Sequence, residues 1–417
     1  MTEPAGDPTI ADGLGDGDDS SGEDIPDRPL RRGWTTGACA TAAAKAAYTA
    51  LLTGRFPDPV TITLPRALRP SFRLATEEIG PGYARAGVVK DAGDDPDVTH
   101  GVLVVVTVRP LAAGSGLEFR AGEGVGTVTL PGLPLEVGEP AINPAPRRMI
   151  ELALREAAQA ARLGSTPEVE VPDVELPDVE LPDVEVPDVE VPDVEVEVSI
   201  PAGRVLAAKT WNPRLGIVGG LSVLGTTGVV VPYSCSAWIH SIHRGIDVAR
   251  AAGHRHVAGC TGSTSEAALQ TLFGLPDTAL LDMGDFVGDL LRYVRRHPVE
   301  RLSIGGGFAK LSKLAVGHLD LHSARSQIDR DWLAARLREV GGDASLGERA
   351  RGANSALAIL QSAGPLAPAL AEVVAVAACE QALEVLKGSP VGLDVVVVDR
   401  AGEVLARSGV RRGDARR

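Results

Sequence analysis

Glycine beside threonine or serine recurs along this chain where helical patterns begin, a combination that can hold a ligand by its backbone. In "GWTTGACATAAAK", Thr35 and Thr36 stand at the mouth of an alanine-rich helix expected over 37–52. Hydroxyl caps, first-turn N–H groups and the helix dipole make a seat for a carboxylate, or else an ordinary capped helix packed by small residues. "GGLSVLGTTG" repeats the Thr-Thr-Gly ending and carries Ser222, Thr226 and Thr227. Its glycines either admit a ligand close to the backbone or punctuate a tight reversal. Upstream, "KTWNPRLG" offers Lys209, Asn212 and Arg214, which suit carboxylates or a solvated turn.

A second set of motifs follows another grammar. "RHVAGCTGSTSEAALQTLFG", "TALLDMGDFVGDLLRYVRRHP" and "VERLSIGGGFAKLSKLAVG" each read as a short buried strand, a glycine-bearing loop and a helix. Three such units predict a parallel sheet with right-handed crossovers, in which ligands lie beyond the carboxyl ends of the strands. The loops there hold Gly259, Thr261, Gly262 and Ser263; then Asp282, Gly284 and Asp285; then Gly305, Gly306 and Gly307, with Lys310 one turn into the helix. Asp282 and Asp285 could bind a ribose hydroxyl, although Asp285 serves equally as a helix N-cap, and Thr261, Ser263, Ser265 and Glu266 fit a capping arrangement. Neither GxGxxG nor a Walker A motif is present, since Lys45 lies eight residues beyond Gly37.

His318 and His322 flank Asp320 at a spacing that would face one side of a helix, but no third metal ligand follows at useful spacing. They read as helix-end or substrate-contacting histidines, and no metal site is expected. His240 and His243 read as rim residues of a helix whose apolar side is Trp238, Ile239, Ile242 and Ile246. No Ser/His/Asp order, HExxH or GxSxG element supports hydrolysis.

These motifs need elements to hold them, and 417 residues suggest two or three domains. Residues 1–28 read as a disordered acidic tail. Residues 29–230 read as a mixed α+β domain with strands at 60–64, 72–75, 101–108, 196–200 and 204–208, interrupted by a low-complexity insertion at 167–195. There "VPDVE"-type pentads place proline every fifth residue, which forbids a helix, and an odd period that gives a strand no single apolar face. Residues 231–345 read as an open, mostly parallel, Rossmann-like α/β domain. Residues 346–417 add helices near 346–361 and 366–387 and a hairpin, expected to pack back on the first domain.

The net charge of −14 is concentrated in the tail and the pentads; without them the chain is mildly basic, which suits an acidic small molecule. A 3% aromatic content disfavours nucleic acid. No run approaches the ~18 uninterrupted apolar residues of a membrane span. The N-terminus has no signal-peptide pattern, and four scattered cysteines form no disulfide framework, so a cytoplasmic location is expected.

"LRRGWTTGACA", "GEPAINPAPRRMI", "AKTWNPRLGIVGGLSVLGTTGVVVPYS" and "KLAVGHLDLHS" together resemble the CbiD family, the cobalt-precorrin-5B C1-methyltransferases of the anaerobic cobalamin pathway. The resemblance runs from Leu30 to Ser408, the pentads apart. It implies S-adenosyl-L-methionine as methyl donor and an anionic, ring-contracted tetrapyrrole as acceptor, with cobalt only as part of that substrate and cobalt-precorrin-6A as product. On this reading the donor occupies the glycine loops, and the macrocycle reaches Thr35, Thr36, Lys310 and the 209–228 segment. His318 or His322 would then be the general base. A non-catalytic corrinoid carrier is the alternative, which would ignore S-adenosylhomocysteine; a nucleotide-dependent ligase would need the absent Walker lysine. A homo-oligomer and transient contacts with other enzymes of the pathway remain open.

Overall fold

The computed structural model describes residues 28–164 and 190–412; the acidic tail and nearly all of the pentads lie outside those residues. β1 (Gly33–Trp34) leads into α1 (Thr36–Thr53). Alanine extends a helix at little entropic cost and adds no bulk, so α1 sinks into the core and is buried from Thr36 to Tyr48. A ribbon of β2 (Val60–Thr61) and β3 (Ser71–Phe72) follows. Next come β4 (Thr76–Gly80), β5 (Tyr83–Val89), β6 (Leu103–Pro110), β7 (Leu117–Ala121) and β8 (Thr127–Val128), then α2 (Pro144–Leu163) and β9 (Val194–Ser199).

Five of these strands form one sheet in the order β4-β5-β6-β9-β7, antiparallel except for the β9–β7 pair. With period-two alternation, Ala84, Ala86 and Val88, Val104, Val106 and Val108, and Val194, Val196 and Val198 bury one face in the core shared with α1. The insertion expected to reach 195 ends earlier. Asp193 accepts the Gly114 and Gly116 N–H groups at 3.0 and 2.6 Å, and Glu195 lies in β9, 2.9 Å from Arg109. The strand expected at 204–208 is a short helix, α3 (Gly203–Ala207): the Gly203 N–H closes a turn on the Ile200 carbonyl at 2.6 Å, and an alanine-containing run continues it. β10 (Ile217–Val218) pairs with β8, and β11 (Val229–Val230) returns to β1.

The second body opens with α4 (Cys235–Ala251), whose Val248 packs with Val128, Leu135, Leu215 and Ile217 of the first. Then alternate β12 (His256–Cys260), α5 (Ser263–Phe273), β13 (Leu280–Asp282), α6 (Val287–Arg296), β14 (Arg301–Gly307) and α7 (Phe308–Ala315). α8 (Arg330–Glu339), α9 (Ala344–Gly352), α10 (Ala356–Ser362) and α11 (Ala367–Val385) precede β15 (Gly392–Val398), β16 (Val404–Arg407) and β17 (Arg411–Arg412).

The sheet order is β13-β12-β14-β15-β16, with the first four strands parallel, β16 antiparallel, and β17 also pairing with β15. Both faces are covered. Ala258, Cys260, Val396 and Val398 pack with Leu269 of α5, while Val257, Leu302, Ile304 and Val395 pack with residues of α6, α7 and α11.

The expectation that 346–417 returns to the first domain is therefore wrong. Every residue of β15 is buried, so the strand needs neighbours in the sheet and cover on both faces, and it finds them beside β14 from Arg301–Gly392 to Gly307–Val398. Gly364–Val385 is one segment long and apolar enough to cross a membrane by length and composition. Glu372, Glu380 and Glu384 interrupt it, and Leu370, Val374, Ala378 and Cys379 are buried in the core of this body.

Candidate functional site

The order β13-β12-β14-β15 puts the first two parallel strands of the body in reversed sequence, so the chain changes direction across the sheet between β12 and β14. Loops leaving the carboxyl ends of such a pair diverge and open a crevice. A cavity of about 370 Å³ lies there. Thr261–Ser265 line it after β12, Gly307–Lys310 after β14 and Val398–Arg400 after β15; Leu357 and Leu360 of α10 and Leu405 of β16 complete the wall.

The glycines of these loops divide by the space around them. A side chain at Gly259 would meet Leu290 at 2.5 Å, one at Gly305 would meet Leu269 at 2.5 Å, and one at Gly306 would meet Thr261 at 2.8 Å. Those three are small because helices and neighbouring side chains press on the sheet, which corrects their assignment to ligand contact. Gly262 and Gly307 have nothing within 4 Å of that position. They immediately precede α5 and α7, and neither helix carries a side-chain cap. The expected capping arrangement at 261–266 is not made: Ser265 donates instead to the Gly262 carbonyl at 2.8 Å. Two helix mouths thus present first-turn N–H groups to one cavity, a setting for anionic or polar ligand groups.

Charged groups border the cavity on its β13 side. Lys310 Nζ lies 3.2 Å from Asp285 Oδ1 and donates to the Thr261 carbonyl at 3.3 Å. That Asp285 oxygen is buried without a hydrogen bond, so the contact with Lys310 is coulombic. Glu266, in the first turn of α5, takes a bidentate pair from Arg214 of the first body at 2.6 and 2.5 Å. Arg214 is therefore committed to Glu266. Burial pushes the Asp282 carboxyl above its ordinary range against the opposing effect of the Gly284 N–H, which donates to it at 3.3 Å.

Asp282, Gly284 and Asp285 do not line the cavity, contrary to expectation. β13 sits at the sheet edge beyond β12, one strand away from the crevice. Gly284 takes a positive φ of 52° under the Trp238 ring, and Phe286, not Asp285, is the N-cap residue of α6, which carries no side-chain cap.

The mouth of α1 is filled by the chain itself. Gly37 N–H donates to the Leu224 carbonyl at 3.0 Å, Ala38 N–H to Thr35 Oγ1 at 3.2 Å, and Thr35 N–H to the Gly228 carbonyl at 2.9 Å. Thr35 and Thr36 are 8% and 5% exposed. The two Thr-Thr-Gly motifs do meet, but on each other, so Thr35 and Thr36 are corrected from ligand seat to closed turn. Ser222 and Asn212 are buried and bonded together at 3.1 Å, while Thr227 bonds backbone groups of Val229. Lys209 and Thr226 are exposed.

His318 and His322 lie in a loop, because α7 ends at Ala315 and the i, i+4 helical face does not exist. The loop borders the charged cluster, with Leu321 N–H on the Asp285 carbonyl at 3.0 Å. His322 Nδ1 accepts the Ala324 N–H at 3.2 Å, so the neutral ring carries its proton on Nε2. The Asp399–Arg400 turn, Phe308, and Leu357 and Leu360 went unforeseen as lining residues. "DVVVVDRAGEVLARS" reads as a hairpin, but nothing in it says which strand lies alongside.

The CbiD family model matches residues 24–178 and 179–232, and the model of the CbiD C-terminal domain matches residues 320–409. A protein of Paramagnetospirillum magneticum named cobalt-precorrin-5B C(1)-methyltransferase is 56% identical over 381 residues, covering 91% of this chain and 98% of that one. Proteins of the same name from Brucella anthropi and a Bradyrhizobium species are 55% and 57% identical, each over 91% of this chain and 95% and 94% of theirs. A crystal structure of cobalamin biosynthesis protein (cbiD) from Archaeoglobus fulgidus is 26% identical and covers 71% of this chain and 83% of that one, with a TM-score of 0.36. By these matches, which span most of its length, the chain belongs to the CbiD family.

Proposed function

We propose that the chain is a cobalt-precorrin-5B C(1)-methyltransferase, using S-adenosyl-L-methionine to methylate C1 of the tetrapyrrole and give cobalt-precorrin-6A. The observation that carries this reading is the cavity at the β12/β14 crossing, where Gly262 and Gly307 leave two helix mouths open side by side. A Rossmann-like half of this kind suits a donor with a carboxylate, a ribose and an adenine. The mouths of α5 and α7, with Thr261, Ser263 and Lys310, would hold the polar groups, and Phe308, Leu357, Leu360 and Leu405 give an apolar wall for the base.

When bound, the donor supplies an electrophilic methyl group on sulfonium sulfur. This chain's residues then have to bind, align and exclude water. Holding acceptor carbon and methyl group in line is worth up to ~7–11 kcal/mol of barrier. A proton leaves the acceptor as the methyl arrives, and His318 is the acceptor we assign, since the Nδ1 lone pair of His322 is taken by Ala324. The peripheral carboxylates of the substrate suit Lys209, which is exposed. Buried free thiols at Cys39, Cys260 and Cys379 agree with a cytoplasmic setting.

Anaerobic incubation of the purified chain with cobalt-precorrin-5B and methyl-labelled donor tests the reading. The expected result is one label on ring carbon C1 and stoichiometric S-adenosylhomocysteine. Folded protein that leaves both reactants unchanged would contradict it.

A further inference from the structure

Trp238 is 38% exposed, yet its ring is fixed. From the first turn of α4 its Nε1–H donates to the Asp282 carbonyl at 3.1 Å. Its six-membered ring lies over Gly284, where a Cβ would stand 3.3 Å from the indole, and one edge tilts against Phe286 with centroids 6.4 Å apart. The remaining tryptophans, Trp34, Trp211 and Trp332, are half-buried. A pinned indole gives up rotamer freedom, and its exposed area gains nothing in return until something flat and apolar covers it.

Its surroundings point to what that is. The 282–286 loop against which the indole rests also carries Asp285, which holds Lys310 in the wall of the cavity, so one loop contacts both the indole and a cavity-lining side chain. Leading into α4, Val231 is exposed, and Tyr233 adopts a left-handed φ of 56° with its N–H on Asp95 Oδ1 of the first body at 2.9 Å. A bulky residue held in that conformation costs about 1–3 kcal/mol and persists where the surroundings impose it. Beside the first turn of α4 stands Arg325, bound to Asp320 at 2.6 Å, 3.7 Å from Cys235 Sγ, and largely exposed. A flat apolar ring, with an exposed guanidinium that is paired to Asp320 and reaches Cys235 one turn away on the same helix, matches a macrocycle with apolar faces and a carboxylate rim.

We propose that Trp238 is the platform on which one face of the tetrapyrrole lies, with Arg325 meeting a peripheral carboxylate; this rests on the methyltransferase reading above. The indole acts as a positioning residue. It sets the height of the macrocycle beside the donor and takes no part in proton transfer.

The test compares wild type, Trp238→Phe and Trp238→Leu in the methyl-transfer assay, with S-adenosylhomocysteine titration as the check on folding. Base-like stacking on an aromatic ring is worth enough to move affinity about tenfold. The KM for cobalt-precorrin-5B should rise about tenfold in Trp238→Leu and much less in Trp238→Phe, with S-adenosylhomocysteine affinity held within twofold. Indole fluorescence should be quenched by the tetrapyrrole in wild type, with a smaller loss in Trp238→Leu. Unchanged KM and quenching in Trp238→Leu would overturn the proposal while wild-type turnover leaves the methyltransferase reading standing. A parallel loss of S-adenosylhomocysteine affinity in both variants would also overturn it, by showing a structural role at the loop.

Discussion

A side chain added at Gly262 enters empty space, whereas one added at Gly305 strikes Leu269 at 2.5 Å. Gly262 has an extended backbone, φ 166°, that any residue adopts, so Gly262→Val intrudes on the cavity without straining the chain. S-adenosylhomocysteine affinity should fall at least tenfold by calorimetry, with the thermal midpoint unchanged. Gly305→Ala should instead lose about 1–3 kcal/mol of stability by overpacking, read from the urea midpoint. The sequence marked both glycines alike, since the letters record a missing side chain and not what stands over it. Gly262 and Gly307 were legible as candidates; their separation from Gly259, Gly305 and Gly306 depends on Leu290, Leu269 and Thr261, whose placement is tertiary. Thr35 shows the same limit. Its capping role was readable locally, but the Leu224 carbonyl that closes the α1 mouth comes from a distant turn.

Each strand–loop–helix unit of the second body was readable because all its parts are contiguous, and β12, β13 and β14 emerged with their helices. β15 was not, because its parallel neighbour precedes it by five α-helices, and a hairpin pattern is silent about a partner that far away. The strands' amino ends hold a polar chain opposite the cavity: His256 Nε2 lies 2.8 Å from Ser303 Oγ, which donates to the buried Asp394 at 2.5 Å, and Arg301 and Arg407 pair with that carboxylate at 3.0 and 3.1 Å. Burial, with Arg301 adding to it, pushes the His256 imidazole down to about 4 from its usual 6.5. Between those values the unfolded chain binds a proton that the folded chain refuses, so the contribution of neutral His256 is full above pH 6.5 and is lost as pH falls toward 4. His256→Gln should flatten that loss. Urea midpoints of both proteins at pH 7 and pH 5 test this, and an equal decline in the two would contradict it.

For the whole molecule, the division of labour follows from how each body meets its own needs. The first buries alanine-rich α1 under an antiparallel sheet and closes its Gly/Thr turns on themselves. The second leaves its turns open where the strand order reverses. Arg214 and Glu266 tie the two beside the cavity, and Tyr233 with Asp95 ties them near Trp238. Mild basicity outside the acidic repeats was visible in composition, but not the pairing of Arg214 that removes it from the free cations. The central claim is that the donor sits in the second body, between the mouths of α5 and α7. Hydrogen–deuterium exchange with and without saturating S-adenosylhomocysteine tests it most directly. Slowed exchange at 261–265, 307–310 and 398–400, with 33–40 and 224–228 unchanged, is the expected result. Protection confined to 33–40 and 224–228 would contradict the account.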